Sequence, residues 1–186
     1  MKFRIVILII MSLNALAIKI EVSISKQRLY LKDNNEIVKT YTISSSSYGE
    51  GSEEGTNHTP LGLHEIKKKI GHEKPIGARF IGRVYTGEIY PIYSNEKILV
   101  TDDVIQTRIM WLSGLEEGEN LGGNVDTFSR YIYIHGTPEE WRLGQKASHG
   151  CIRMSNRDVI ELFNIVEEGT EAVSYTHLRA HETSLH

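Results

Sequence analysis

Alternation of apolar and polar positions marks the chain as β structure from Ile18 onward. Ile20, Val22 and Ile24 alternate with Lys19, Glu21 and Ser23, and Leu29 and Leu31 alternate with Arg28, Tyr30 and Lys32. Asp33-Asn34-Asn35 reads as a hairpin turn, and Ile37 to Ile43 returns as a third strand. Ser44 to His58, rich in Ser, Gly and Glu, reads as a mobile loop. Thr59-Pro60-Leu61-Gly62 introduces a short strand, Leu63 to Ile66, and Lys67 to Lys69 reads as a solvated charge run. Across residues 67 to 97, Gly and Pro interrupt Phe80, Tyr85, Tyr90 and Tyr93, which predicts a flap with hairpin character. Ile98 to Val100 and Val104 to Leu112 read as strands. The second of these places Thr107, Ile109 and Trp111 on one face, with a helix as its alternative. Glu116 to Arg130 is a Gly/Asn/Asp loop feeding a buried apolar strand, Tyr131 to Ile134. One segment has helical period: Ser155 to Asp158 supplies an N-cap and a capping-box acid, Val159, Ile160, Leu162, Phe163 and Val166 form a stripe, and Gly169 closes it.

Composition narrows the class. With 186 residues, 40% apolar and 24% charged, the chain reads as one globular domain with a core of its own. A net charge of −3 offers no basic face for a nucleic acid. Lys2 and Arg4, the apolar run Ile5 to Leu13 and Ala15-Leu16-Ala17 have the order of a secretory signal peptide, so residues 1 to 17 are expected to be removed on export. That run is shorter than the roughly 20 residues a spanning helix needs. Residues 174 to 186 hold three of the eight histidines but no strand or helix period. This tail resembles translated sequencing-adapter sequence and is set aside as non-native, leaving 18 to 173 as the domain.

Export changes the meaning of the single cysteine, Cys151. Secreted chains usually pair their thiols, and this one has no internal partner. It lies in the turn Ser148-His149-Gly150-Cys151, and His135 ends the preceding apolar strand. A thiol with a pKa near 8.5 is a modest nucleophile until an imidazole takes its proton. His135 is the candidate base, and His149, two residues before the thiol, the secondary one. No acid adjoins His135, so the Gly136 carbonyl is the nearest group to hold its tautomer. Gly150 lets the amides of His149, Gly150 and Cys151 converge as an oxyanion hole. Such a set carries out acyl transfer through a thioester and requires no cofactor or metal.

His135-Gly136 followed by Ser148-His149-Gly150-Cys151-Ile152-Arg153 resembles the signature of the L,D-transpeptidase (YkuD-type) catalytic domain family. The resemblance implies a mainly β fold, a β-sandwich of mixed sheets with one helix after the nucleophile loop, in a periplasmic or cell-wall enzyme. It implies that Cys151 attacks peptidoglycan stem peptides between a diamino acid and the terminal D-Ala. The acceptor would be an amine of a second stem or of an outer-membrane lipoprotein, and carbapenems would acylate the same thiol. His135 takes the base role, and His149, Ser148, Gly136, Gly150 and Arg153 take orienting, oxyanion or substrate roles. Hydrolysis of the same bond by a carboxypeptidase or endopeptidase, a metal site on His135, His149 and Cys151, and a non-catalytic wall-binding module are the competing readings.

Overall fold

A computed structural model describes residues 18–100 and 103–177 of the chain. The signal-peptide expectation for residues 1 to 17 lies outside the described residues, as does the tail from 178 onward.

The first three strands form where alternation placed them: β1 (Ile18–Ser23), β2 (Arg28–Asp33) and β3 (Glu36–Ser44). Asn34 and Asn35 hold φ of 48° and 70°, the doubly positive turn that matches strand twist and that Asn tolerates best after Gly. β4 (Gly62–Ile70) is longer than the sequence pattern indicated and absorbs Lys67 to Lys69. Lys69 is not solvated as expected. Its ammonium donates to Val166 O and stacks on the Phe163 ring at 4.6 Å, its stem lying along apolar surface.

β5 (Ala78–Ile81) and β6 (Val84–Ile89) form the predicted hairpin. β7 (Ile105–Gly114) settles the open choice in favour of a strand, with a register shift between Gln106 and Ile109 and Thr107 at a φ of 69°. Ile98 to Val100 is not a strand. It lies as irregular chain along the 137–142 loop, with Val100 N–H donating to Glu139 Oε1 and the Trp141 indole N–H donating to Ile98 O.

β8 (Tyr133–Gly136) and β9 (Ile152–Met154) carry the candidate chemistry, and helix α1 (Asn156–Ile165) follows β9 directly. Ser155 caps α1 by accepting from Asp158 N–H at 3.0 Å. Gly169 does not cap the helix; it serves the turn after it, where Thr170 N–H donates to Glu167 O. β10 (Glu171–Tyr175) then continues two residues into the segment set aside as foreign. Ser174 is buried against Pro60 O, and Tyr175 O accepts from Ile24 N–H. Ser174 and Tyr175 thus continue the pairing of β10 with β1, opposite Val22 and Ser23.

The strands run in the order β4-β10-β1-β2-β3-β9-β8-β7, and β7 pairs with β4, so a single mixed sheet closes into a barrel-like ring. β1–β10 and β8–β9 are parallel and the other pairs antiparallel. Inside it, Ile20, Leu29, Ile43, Met110, Ile134, Ile152 and Met154 pack with Val159, Leu162 and Phe163 of α1. Each side chain of that size contributes about 1.5–3 kcal/mol when fully buried. A second cluster, Ala78, Phe80, Ile109, Trp111 and Tyr133, covers the other face of β7 and β8 and packs against Cys151.

One core histidine sets a pH limit on the fold. His64 is buried beside Gly62 O and Thr127 Oγ1, and burial above all pushes it from 6.5 down to about 4. Between those values the unfolded chain binds a proton that the folded chain does not, so stability is complete above pH 6.5 and falls as pH drops toward 4. The expected loss is about 2 kcal/mol between pH 6.5 and 5. Urea unfolding at those two values measures it, and His64→Gln should flatten the dependence; an equal slope in the variant would show that His64 is not its source.

Candidate active site

Period-two alternation decides which side chains meet. Ile132, Ile134, Ile152 and Met154 enter the main core, so Tyr133, His135, Cys151 and Arg153 project to the opposite face of β8 and β9. The parallel register sets Ile134 opposite Ile152 and His135 opposite Arg153, which brings Tyr133 beside Cys151. Tyr133 N–H points at Cys151 Sγ at 3.4 Å, and Sγ lies 3.5 Å from Tyr131 O.

His135 is fully buried. Its Nδ1–H donates to Gly136 O at 2.8 Å, which leaves Nε2 as the basic atom, and Nε2 is buried without a hydrogen-bond partner among the described residues. Burial pushes the imidazole down, with the Asp103 charge and the Gly136 hydrogen bond acting the other way, so it is a neutral base at pH 7. Gly136 has no room for a side chain: a Cβ there would sit 2.6 Å from Asn156 Oδ1 and 2.8 Å from Gln106 O.

The nucleophile turn rests on the Ser-rich stretch expected to be mobile. Ser44, Ser45 and Ser46 are buried, Ala147 and Ser148 N–H donate to Ser45 O, and Thr59 Oγ1 donates to Gly150 O. Small hydroxyl side chains are common in exposed turns, but here they satisfy buried backbone. Gly150 holds a φ of 121°, and a Cβ on it would meet Ile132 at 3.2 Å and His58 O at 3.3 Å.

Below the thiol lies a charged network. Arg153 is 3% exposed and places its guanidinium between Asp103 (Nη2–Oδ1 2.6 Å, Nε–Oδ1 2.9 Å) and Glu139 (Nη1–Oε2 2.8 Å). Asp103 Oδ2 faces both the backbone N–H of His149 at 3.2 Å and its Nδ1 at 3.3 Å. Burial alone would raise the Asp103 carboxyl; Arg153, then His135, and hydrogen bonds from His149 and Arg153 outweigh it and hold it below its usual value.

A profile of the YkuD L,D-transpeptidase catalytic domain matches residues 17–173. The chain belongs to the L,D-transpeptidase catalytic domain family. Bacillus licheniformis YkuD, whose name carries L,D-transpeptidase as a provisional assignment, is 57% identical over 97 residues, 45% of this chain and 58% of its own. Bacillus subtilis YqjB, named in the same way, is 43% identical over 47 residues, 25% of this chain and 27% of its own. These matches thus span less than two thirds of either relative. Among solved structures, L,D-transpeptidase 3 from Mycobacterium tuberculosis is 16% identical with a TM-score of 0.51, covering 86% of this chain and 60% of that one. The Enterococcus faecium L,D-transpeptidase C442S mutant is 18% identical with a TM-score of 0.52, covering 86% and 50%. At that identity the likeness is one of fold.

Within this L,D-transpeptidase domain, the sequence-derived residues fall into two groups. Cys151 and His135 lie on one face of β8 and β9, Gly136 accepts from the His135 ring, and Ser148 and Gly150 belong to the turn that carries Cys151. The substrate role given to Arg153 does not fit its placement, because alternation turns it away from one core and into a second covered face between two carboxylates. Two of the three amides expected to converge on an oxyanion have acceptors, Asp103 for His149 and Ser148 Oγ for Gly150. Cys151 N–H has none among the described residues. His149 is about half exposed and leans on Asp103 and the Tyr48 ring rather than on the thiol. No group of three or more His, Cys, Asp or Glu side chains among the described residues could hold a metal ion, so the metal-site reading of His135, His149 and Cys151 is not supported.

Asp103 and Glu139 went unread in the sequence because each pairs across a loop, with no local spacing to betray it. Removing their shared cation should be severe. Arg153→Met leaves two carboxylates without their partner and is expected to destabilise the domain by about 3–5 kcal/mol. A shift of less than about 1 kcal/mol in urea unfolding would mean that the network carries little of the fold.

Proposed function

We propose that this domain is an exported cysteine acyltransferase that cleaves the bond between a diamino acid and the terminal D-Ala of peptidoglycan stems. The observation that carries the reading is the placement, on one face of β8 and β9, of a thiol and a buried imidazole whose Nδ1 is tied to Gly136 O and whose Nε2 is unpartnered among the described residues. Cys151 Sγ attacks the carbonyl carbon as His135 Nε2 takes the thiol proton, and the imidazolium returns that proton to the departing D-Ala amine. The acyl group is left on sulfur as a thioester. An amine from a second stem or a surface lipoprotein then attacks it, its proton passing through His135 back to the thiol.

Two structural relatives support β-lactams as alternative acylating agents: one was solved in complex with imipenem, and M. tuberculosis L,D-transpeptidase 3 with a faropenem-derived adduct. A periplasmic or cell-wall location accords with the N-terminal pattern and with this substrate. The test is intact mass spectrometry of the protein with a carbapenem, and separately with a tetrapeptide stem plus an amine acceptor. One adduct per chain and D-Ala release with a new cross-link support the proposal. D-Ala release without cross-linking makes it a carboxypeptidase, and neither adduct nor release removes the acyl-transfer reading.

A further inference from the structure

With Arg153 buried between carboxylates, another cation must meet a peptide that enters the site. Arg130 stands where one is needed. It lines a cavity of about 150 Å³, together with Tyr131, Ile132 and His149 on one side and Glu54 and Asn57 on the other. This cavity adjoins the nucleophile: Tyr131 O is 3.5 Å from Cys151 Sγ, and Gly150 lies against Ile132 and the carbonyls of Asn57 and His58.

The guanidinium is held without being neutralised. Nη1 donates to Gly51 O at 3.3 Å and Nη2 to His58 O at 2.8 Å, both uncharged acceptors. Among the described residues no carboxylate comes within 4.0 Å of it, whereas Arg153 has two. A half-buried cation fixed by two carbonyls retains unused N–H donors in a planar fork, the shape that fits a carboxylate. Burial lowers its proton affinity, and the charges of Cys151 and Glu54 oppose that without outweighing it. At about 150 Å³ the cavity has room for a small residue with its carboxylate.

We propose that Arg130 anchors the free C-terminal carboxylate of the residue that leaves when Cys151 attacks, and so confines the enzyme to the last peptide bond of a stem. This rests on the acyl-transfer reading above. A chain that continued past the leaving residue would bring no free carboxylate to Arg130.

Binding tests this apart from turnover. Cys151→Ala protein is titrated calorimetrically with a stem tetrapeptide as the free acid and as its C-terminal amide. The acid is expected to bind about 10- to 100-fold more tightly than the amide. Adding Arg130→Met should remove that preference and leave amide binding unchanged, and Arg130→Lys should retain part of it. Equal binding of acid and amide, or a preference that survives Arg130→Met, overturns the assignment. Loss of amide binding along with acid binding also overturns it, since Arg130 would then only brace the 51–58 loop. If the preference holds but wild-type protein releases no D-Ala, the acyl-transfer reading fails while Arg130 stands as a carboxylate site.

Discussion

Replacing Cys151 with alanine is expected to abolish both D-Ala release and the carbapenem adduct while leaving the circular dichroism spectrum unchanged. Cys151 packs at the edge of the second cluster with its Sγ beside Tyr133 N–H, and losing one sulfur there leaves the ring of strands intact. The thiol is not a ready nucleophile. Burial pushes it up to about 12, the Asp103 charge adds to this, and Tyr133 N–H, Arg153 and Arg130 oppose it. Thiolate is therefore scarce at pH 7, and attack requires the proton to leave as the new bond forms. Iodoacetamide should alkylate Cys151 slowly at pH 7 and faster only well above pH 9. Rapid alkylation at neutral pH would mean that a thiolate is already present, and turnover by the alanine variant would remove the covalent mechanism.

His135→Ala is expected to cut acylation by roughly 100- to 10,000-fold, the range for a general base in the transition state. His149→Ala should cost far less, since that ring is half exposed and bound to Asp103. The pH profile carries the sign. Because the folded imidazole is pushed below 6.5, its base form is full above that value and acylation should fall only on the acid side of it. Measuring acylation by mass spectrometry from pH 4.5 to 8 checks this. A limb above pH 7, or a larger loss in His149→Ala, would exchange the roles of the two histidines.

Local sequence carried the chemistry further than it carried its surroundings. The His135–Gly136 carbonyl bond follows from two adjacent residues, and the Ser155 cap and the Asn34-Asn35 turn are equally local, so all three could be read directly. Arg153 could not. The alternation Ile152-Arg153-Met154 says only that it opposes the core, which in an open sheet means water. Here that face is covered, and a charge there must find partners inside. Asp103 and Glu139, its partners, and Arg130 at the cavity come from loops that only the closed sheet brings together. Ser44 to Ser46 misled for the converse reason, since polar residues rich in turn signals were recruited to fill backbone valences beneath the nucleophile.

Closure of the ring also governs how this protein is made. β10 lies between β4 and β1, pairing Ala172 with Ile20 and with His64, so the last of the described strands to be synthesised joins two that come early. Until it arrives, β1 and β4 present unpaired edges, and the contact that seals them spans nearly the whole domain. Ordering so long a loop before it is rewarded makes for slow folding and a window of exposure to edge-to-edge association. Completion of the barrel thus waits on β10, and the turn that carries Cys151 is synthesised before it has a closed fold to hold it.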